Sequence, residues 1–406
     1  MSRMRIDTMR RIDRVLGVPL CALLSFWDRI RRLVRRPPQG PPSRILFIEL
    51  SEMGSMVLAF PLFEKVRRDF PGAELYFLTF RRNRYAVDVL KAIPEANVVT
   101  IEDGSLPRFA LTALGAIRRL RRLRPDTTVD LELFARVTAV LGYLSGARRR
   151  VGFHRFHNEG LYRGGFLTHR VALNPHIHIA HNLLNLGHAL TEPRDQVPFA
   201  KVPVDPEVIR LPRFSPGADV RDRVKARLES ACPGIEGARR IILLNPNAGD
   251  LVPLRRWPES HYLELGRRLL RTPDLYLVLT GTSDEAAAAE RIRASLDPLK
   301  VCNFAGRTTF EELLTLYTLA DILITNDSGP AHFSSMTSIR SFVLFGPETP
   351  ALYGPLGENS RAFHAGYGCS PCVSAFNHRR SPCRDNLCLQ AITPGEVYEE
   401  IQCAAD

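Results

Sequence analysis

The sequence predicts two doubly wound α/β domains, each a parallel sheet covered by helices. Three observations carry that expectation. Short, continuous apolar runs such as RILFIEL (44–50) and ELYFLTF (74–80) recur along the chain; helical segments alternate with them; and the alternation lapses over 191–220, rich in Pro, charge and small residues, then restarts. Strand–helix–strand alternation makes parallel sheets, and a run apolar on both faces suits a strand buried on both sides.

The first half reads as strand 44–50, a helix over SEMGSMVLAFPLFEKVRRDF with Gly54 at its turn, strands 74–80 and 97–103, a helix 111–124 with Arg on one face, strand 128–134, a less regular stretch from 151, and a helix near 178–190. The second half reads as strand 241–249, helix 260–270, strand 275–285, an Ala-rich helix, strand 300–306, helix 309–320 opened by a Thr309–Glu312 capping box, strand–turn–helix 321–336 and strand 341–347. The expected organisation is a basic N-terminal segment and linker over 1–42, one domain over 43–205 and another over 206–406. Two such domains present a ligand cleft at the carboxyl ends of their strands.

The chain has 406 residues, enough for two or three domains, and a formal charge of +12. The charge is concentrated: residues 1–40 hold ten Arg against three Asp, and the remaining 366 residues carry only +5. No arginine motif or stacking-aromatic pattern for nucleic acid accompanies it, so no nucleic-acid partner is expected. Within 8–36, an apolar stretch from Val15 to Trp27 lies between Arg clusters, with no cleavage site after it and no apolar run long enough to span a bilayer. This segment is expected to lie as a helix in the headgroup region of a membrane, with Phe26 and Trp27 buried and Arg facing anionic lipid; the alternative is a helix packed on the protein's own surface. Residues Pro37, Pro38, Gly40, Pro41 and Pro42 read as a linker. The eight Cys are too few for a disulfide scaffold of this size and indicate a reducing, cytosolic compartment.

Three segments carry candidate chemistry. In ILITNDSGPAHF (322–333) an apolar strand ends at Asn326-Asp327-Ser328-Gly329-Pro330 and a helix begins. Pro suits the first helical turn, Gly329 permits close backbone approach, and the helix start favours a diphosphate, with His332 one turn in; the competing reading is that Asp327 or Ser328 only caps the helix. In NPNAGDLVPLRRWPESHY (245–262) a strand empties into a loop with Asn247, Gly249, Arg255 and Arg256, either Arg being able to neutralise a leaving diphosphate unless the pair is solvated surface. In ELSEMGSMVLAFP (49–61), Glu49 and Glu52 are candidate bases, although a nucleotide-binding G-x-G-x-x-G is absent.

RILFIELSEMGS, NPNAG…RRWPESHY, NDSGPAHFSSM…FVLFGPETPALYGP and CSPC…CRDNLCLQAITPGEV, in that order and spacing, resemble glycosyltransferase family 9, the ADP-heptose:lipopolysaccharide heptosyltransferase type, over roughly residues 44–400. The resemblance implies a GT-B fold: two Rossmann-like domains facing a cleft, with the C-terminal helix crossing back. It implies inverting transfer of a heptose from ADP-heptose to a lipopolysaccharide core without metal or other cofactor, the donor in the C-terminal domain and the lipid-linked glycan acceptor in the N-terminal one. Such an enzyme would be peripheral on the cytoplasmic face of a bacterial inner membrane. Asp327, Ser328, Gly329 and His332 match the family's D-[ST]-G-x-x-H motif at the diphosphate, and Arg255 falls where the family usually has a phosphate-binding Lys. Gly281 to Glu285 fall at the donor's ribose and base, with Glu285 or Asp284 as ribose partner; Asn247 and Arg256 are counted with the same site. Gly54, Ser55 and His154 are placed at the acceptor, where His157 and Arg155 are also available.

One position departs from the family. Its first motif commonly ends Gly-Asp, and that Asp is the proposed base; here the sequence reads Gly54-Ser55. A serine unaided has no suitable pKa, so Glu52 is expected to take the acceptor proton, with Glu132 as second candidate. The departure leaves two further readings open: transfer from another nucleotide sugar such as a UDP-sugar, and a non-catalytic sugar-nucleotide-binding protein of envelope assembly. Finally, Cys369-x-x-Cys372 with Cys383 and Cys388 is compatible with a structural zinc loop, or with a plain reduced surface loop.

Overall fold

The computed structural model describes residues 6–34, 40–157, 159–193 and 196–403. Arg35 and Arg36 of the second basic cluster and Pro37 and Pro38 of the expected linker lie outside the described residues. The chain divides into two compact units, one of residues 1–210 with 375–378 and the other of 211–374 with 379–406.

The first unit contains β1 (Arg44–Ile48), β2 (Glu74–Phe80), β3 (Val98–Ile101), β4 (Thr127–Asp130), β5 (Arg149–Phe153) and β6 (His169–Val171). They form one parallel sheet in the order β3-β2-β1-β4-β5-β6. The second unit contains β7 (Arg240–Asn245), β8 (Leu275–Leu279), β9 (Val301–Asn303), β10 (Ile322–Asn326), β11 (Arg340–Phe345) and β12 (Ser360–His364). Its sheet, also parallel, runs β12-β11-β10-β7-β8-β9, the same winding. Each sheet reverses direction between its first and fourth strand, and the crevice outside the carboxyl ends at that point is where such sheets bind ligands. The central strands are apolar throughout because helices cover both faces: Ile45 to Ile48 and Leu323 to Ile324 are essentially fully buried.

The doubly wound α/β expectation therefore holds, with particular differences. The strand expected over 128–134 stops at Asp130, so Glu132 lies in the turn beyond it. Gly54 is inside the first turn of the helix Met53–Leu58, not before it. Strands β5, β6 and β12 had no counterpart in the expected element list. The helix Pro394–Cys403, expected to cross back, buries Val397 and Ile401 in the second unit's own core with Trp257, Tyr262 and Leu265. The expected Thr309–Glu312 capping box is present, Thr309 accepting from the Glu312 amide at 3.2 Å and Glu312 from the Thr309 amide at 2.8 Å.

The basic N-terminal segment forms two helices, α1 (Ile6–Val15) and α2 (Gly17–Val34), docked on the first unit. Cys21 packs into a small apolar cluster with Ala139, Val140, Tyr143 and Phe166. Gly17 lies close to Arg136 where α2 starts: a Cβ there would be 3.0 Å from Arg136 Cδ, and that side chain would have to give by a few tenths of an ångström. Polar contacts complete the seam. The Ser25 hydroxyl accepts the Gly165 amide at 2.7 Å, Arg136 donates to Asp13 at 3.0 Å, and Arg150 donates to the buried Asp28 at 2.7 Å. Replacing Asp28 by Ala strands a buried guanidinium, and urea unfolding of the first unit is expected to show a loss of about 3 kcal/mol. Arg32→Ala, which removes the more exposed partner of Asp28, is expected to cost less than about 1 kcal/mol.

Candidate functional site

In the first unit, β1 and β4 are neighbours, with Ile48 opposite Asp130. The residues that follow these two strands therefore meet. Glu49 and Glu132 are 2% and 1% exposed. Glu49 Oε1 accepts the amides of Ser51 and Glu52, at 3.1 and 3.2 Å, which folds the loop back on itself before the helix Met53–Leu58. Glu132 Oε1 accepts the amides of Leu133 and Phe134, at 3.1 and 2.8 Å, and its Oε2 accepts the Ser51 hydroxyl at 2.5 Å. Glu132 is thus spent on backbone and on Ser51. Glu52 is only half-buried, and its Oε2 accepts the Ser55 hydroxyl at 2.9 Å. Gly54 is buried between them in sequence.

Arg163 closes this cluster from below. It donates to the Asp130 carboxylate, the Thr138 hydroxyl (2.7 Å), the Ala135 carbonyl (2.9 Å) and the Glu132 carbonyl. Burial raises the Asp130 carboxyl to about 6 despite Arg163, with Glu132 adding to the rise. Burial first, then the charges of Glu132 and Glu52, raise Glu49 well above the usual carboxylate range. His154 follows β5 and lines a recess with Leu133, Phe153, Arg155, Arg163 and Phe376. Burial, then Arg170 and Arg155, lower its imidazole to about 4.

In the second unit, β10 and β7 are neighbours, and the loop after β7 is held by the end of β10. Asn326 uses its whole amide for this. Its Oδ1 accepts the Trp257 amide at 2.9 Å, and its Nδ2 donates to the Pro246 and Asn247 carbonyls at 3.0 and 3.3 Å. Trp257, 2% exposed, donates its indole N–H to the Ile392 carbonyl at 2.9 Å. Asn386 donates to the Leu254 and Arg256 carbonyls at 3.1 and 2.9 Å. The loop so stapled separates the two arginines. Arg255 turns inward to Asp327, 3.5 Å away, and its side chain is 12% exposed. Arg256 turns to the Gly249 carbonyl and the exposed Asp250 carboxylate, at 2.8 and 2.6 Å. Arg255 Nε, Arg256 Nε and Asn247 Nδ2 are buried donors without hydrogen-bond partners among the described residues.

Asp327 and His332 are both buried beside this loop end, at 2% and 7% exposure. Ser328 is the first extended residue before the short helix Gly329–Ser334, and its hydroxyl donates back to the Asn326 carbonyl at 3.2 Å instead of capping that helix. A Cβ on Gly329 would lie 2.9 Å from the Phe333 ring, so packing inside the helix accounts for this glycine. Glu285 belongs to a second capping box, Thr282–Glu285, its Oε2 accepting the Thr282 amide at 2.8 Å and its Oε1 the Gly249 amide at 3.3 Å. That ties the Gly281 turn to the 245–249 loop, with one amide on each oxygen of the Glu285 carboxylate.

The four thiols compatible with a zinc loop lie in one C-terminal stretch of the second unit. Among the described residues no group of three or more His, Cys, Asp or Glu side chains is arranged to hold a metal ion. Cys388 is buried, its Sγ 3.1 Å from where a Cβ on Gly346 would lie, while Cys369 is exposed and Cys383 donates to Asp385 at 3.4 Å. Burial first, then the charges of Cys372, Cys383 and Cys369, raise the Cys388 thiol, so the other three lie within electrostatic reach of it.

The family model for glycosyltransferase family 9 (heptosyltransferase) matches residues 118–380. The chain belongs to this family. Among curated relatives, lipooligosaccharide heptosyltransferase 2 of Campylobacter jejuni is 25% identical over 170 residues, 41% of this chain and 52% of that protein. The chain thus spans about half the length of the first curated relatives it matches. Among solved structures, the Escherichia coli ADP-heptose lipopolysaccharide heptosyltransferase II superposes with a TM-score of 0.67 at 20% identity, covering 89% of this chain and 98% of that one. Escherichia coli heptosyltransferase WaaC with ADP gives 0.57 at 16% identity, covering 88% and 99%. At these identities the likeness is one of fold, and it is the fold derived above.

The sequence reading missed Asn326 as a staple, Glu49 as an organiser of its own loop, and Arg163. Each acts on residues that only the sheet order brings near. Because native His154 resists protonation, its imidazole resonances are expected to titrate near 4. Its contribution to stability is intact above the unfolded value of 6.5 and is lost as pH falls from there toward 4. His154→Phe is expected to flatten that part of the pH–stability curve measured by denaturant unfolding.

Proposed function

We propose that this protein transfers a heptose from ADP-heptose to a lipopolysaccharide core or related envelope glycan, inverting the anomeric centre and needing no metal. The observation that carries the reading is the donor set after β7 and β10: Arg255 turned inward beside Asp327, with Arg255 Nε and Asn247 Nδ2 buried and unused. Buried donors without partners are costly, and a diphosphate supplies the acceptor oxygens that relieve the cost. The family's named members and its solved relatives with ADP support ADP-heptose as donor.

Arg255 offsets the charge that develops on the departing diphosphate, as a fixed cation in a site shielded from water. Asp327 aims it. Arg256, bound to the loop's own carbonyl and to Asp250, keeps the loop in shape, and its buried Nε adds a further donor beside Arg255. On the acceptor side, Glu52 takes the proton of the attacking hydroxyl. It stands three residues before Ser55, where the family commonly carries its carboxylate, and the Ser55 hydroxyl holds its carboxylate in place. Glu132, with both oxygens engaged, positions Ser51 and so the loop that carries Glu52. The oxygen of the acceptor bonds to C1 of the sugar, the C1–O bond to the diphosphate breaks, the proton goes to Glu52, and ADP leaves.

Glu52→Gln is expected to lower kcat by about a hundredfold or more with donor KM little changed. Arg255→Ala is expected to lower kcat/KM for the donor by about a hundredfold, and Arg256→Ala by less than about tenfold. The assay is ADP release with a heptose-deficient core acceptor, with UDP against ADP as competing products. Near-wild-type turnover of Glu52→Gln removes the base assignment, and inhibition by UDP but not ADP removes the donor assignment.

A further inference from the structure

The helix α2 is docked inside out. Its inward face, Cys21, Leu24, Ser25, Asp28 and Arg32, meets the first unit through a small apolar cluster at Cys21 and Leu24 and through polar contacts from Ser25, Asp28 and Arg32. Its outward face is the apolar one: Leu20, Leu23, Trp27, Ile30 and Val34 recur three or four residues apart, and Leu23, Trp27 and Val34 are 63%, 49% and 86% exposed. A helix on a soluble domain normally turns its apolar stripe to the core and its polar face to water. An apolar stripe held outward needs a partner.

The charge pattern says which partner. Asp13 and Asp28, the acidic side chains described in α1 and α2, are turned to the domain and neutralised there by Arg136 and by Arg150 with Arg32. Arg31 borders the exposed stripe, its guanidinium 5.5 Å above the Trp27 ring, and Arg11, Arg14 and Arg29 are further exposed cations of the same two helices. No helix among the described residues is long and apolar enough to cross a membrane. An apolar stripe bordered by Arg and anchored by an interfacial Trp is the chemistry of a helix lying in the plane of an anionic bilayer surface. We propose that α1 and α2 form a membrane-docking face that seats the first unit on an anionic lipid surface, its apolar side chains among the acyl chains and its arginines at the phosphates. The proposal is independent of which sugar is transferred.

The test uses the full-length protein with phosphatidylcholine vesicles and with phosphatidylcholine–phosphatidylglycerol vesicles, and its readouts are co-sedimentation and tryptophan emission. Expected is a partition constant at least about tenfold higher on the anionic vesicles, weakened by salt. A blue shift from Trp27 should accompany binding and be missing in Trp27→Phe, since Trp257 is already buried. The Leu23→Glu/Trp27→Glu variant should lose at least about tenfold in partitioning with its far-UV circular dichroism unchanged. Arg29→Glu/Arg31→Glu, both at exposed positions, serves as the second variant if the first fails to fold, and should lose binding to the anionic vesicles. Equal binding to both vesicle types, no binding to either, or binding unaffected by the variants overturns the proposal. So does a wild-type dimer that the variants convert to monomer without any vesicle binding, which would make a second copy the partner.

Discussion

Two carboxylates, Glu49 and Glu132, are buried at the ends of adjacent parallel strands, and the first unit's working loop depends on how that burial is made tolerable. A buried charge must be given donors or lose its charge. Glu132 is given donors by two amides and the Ser51 hydroxyl; Glu49 takes two amides and is pushed toward its protonated form by burial and by Glu132 itself. Glu49 is satisfied by the amides of residues 51 and 52 and Glu132 by the Ser51 hydroxyl, so the position of Glu52 follows from the requirement to satisfy its neighbours. Asp130 and Arg163 extend the arrangement one layer further in.

The second unit solves a similar problem with neutral groups. Its sheet has the same strand order and the same switch point, but a single amide, Asn326, fixes the loop there by accepting one hydrogen bond and donating two. Because the staple carries no charge, the loop is free to present a cation, Arg255. One winding thus supports an acid-rich turn in one unit and a cationic turn in the other, and the difference lies in which side chains satisfy the strand ends.

Much of this was legible in the sequence, for physical reasons that differ by element. Continuous apolar runs identified the central strands because helices cover both sheet faces. The Thr309–Glu312 box was legible because it is local. Its twin at Thr282–Glu285 is equally local and holds the Glu285 carboxylate against the Thr282 and Gly249 amides. Strands β5, β6 and β12 are short or carry charged residues, as in SRAFH, and give no apolar run to detect. The contrast between Arg255 and Arg256 could not be read locally, since Asn326 and Asn386, distant in sequence, set it.

The N-terminal helices lie outside the stretch that the family model matches, yet the first unit has lent them part of its interior. Arg150 also bonds the Phe166 and Ala147 carbonyls at 2.8 Å and could not readily turn out into water. Without the segment the Arg150 guanidinium would stay turned inward with its carboxylate partner gone, so the stability of the first unit is coupled to the helices that lie on it.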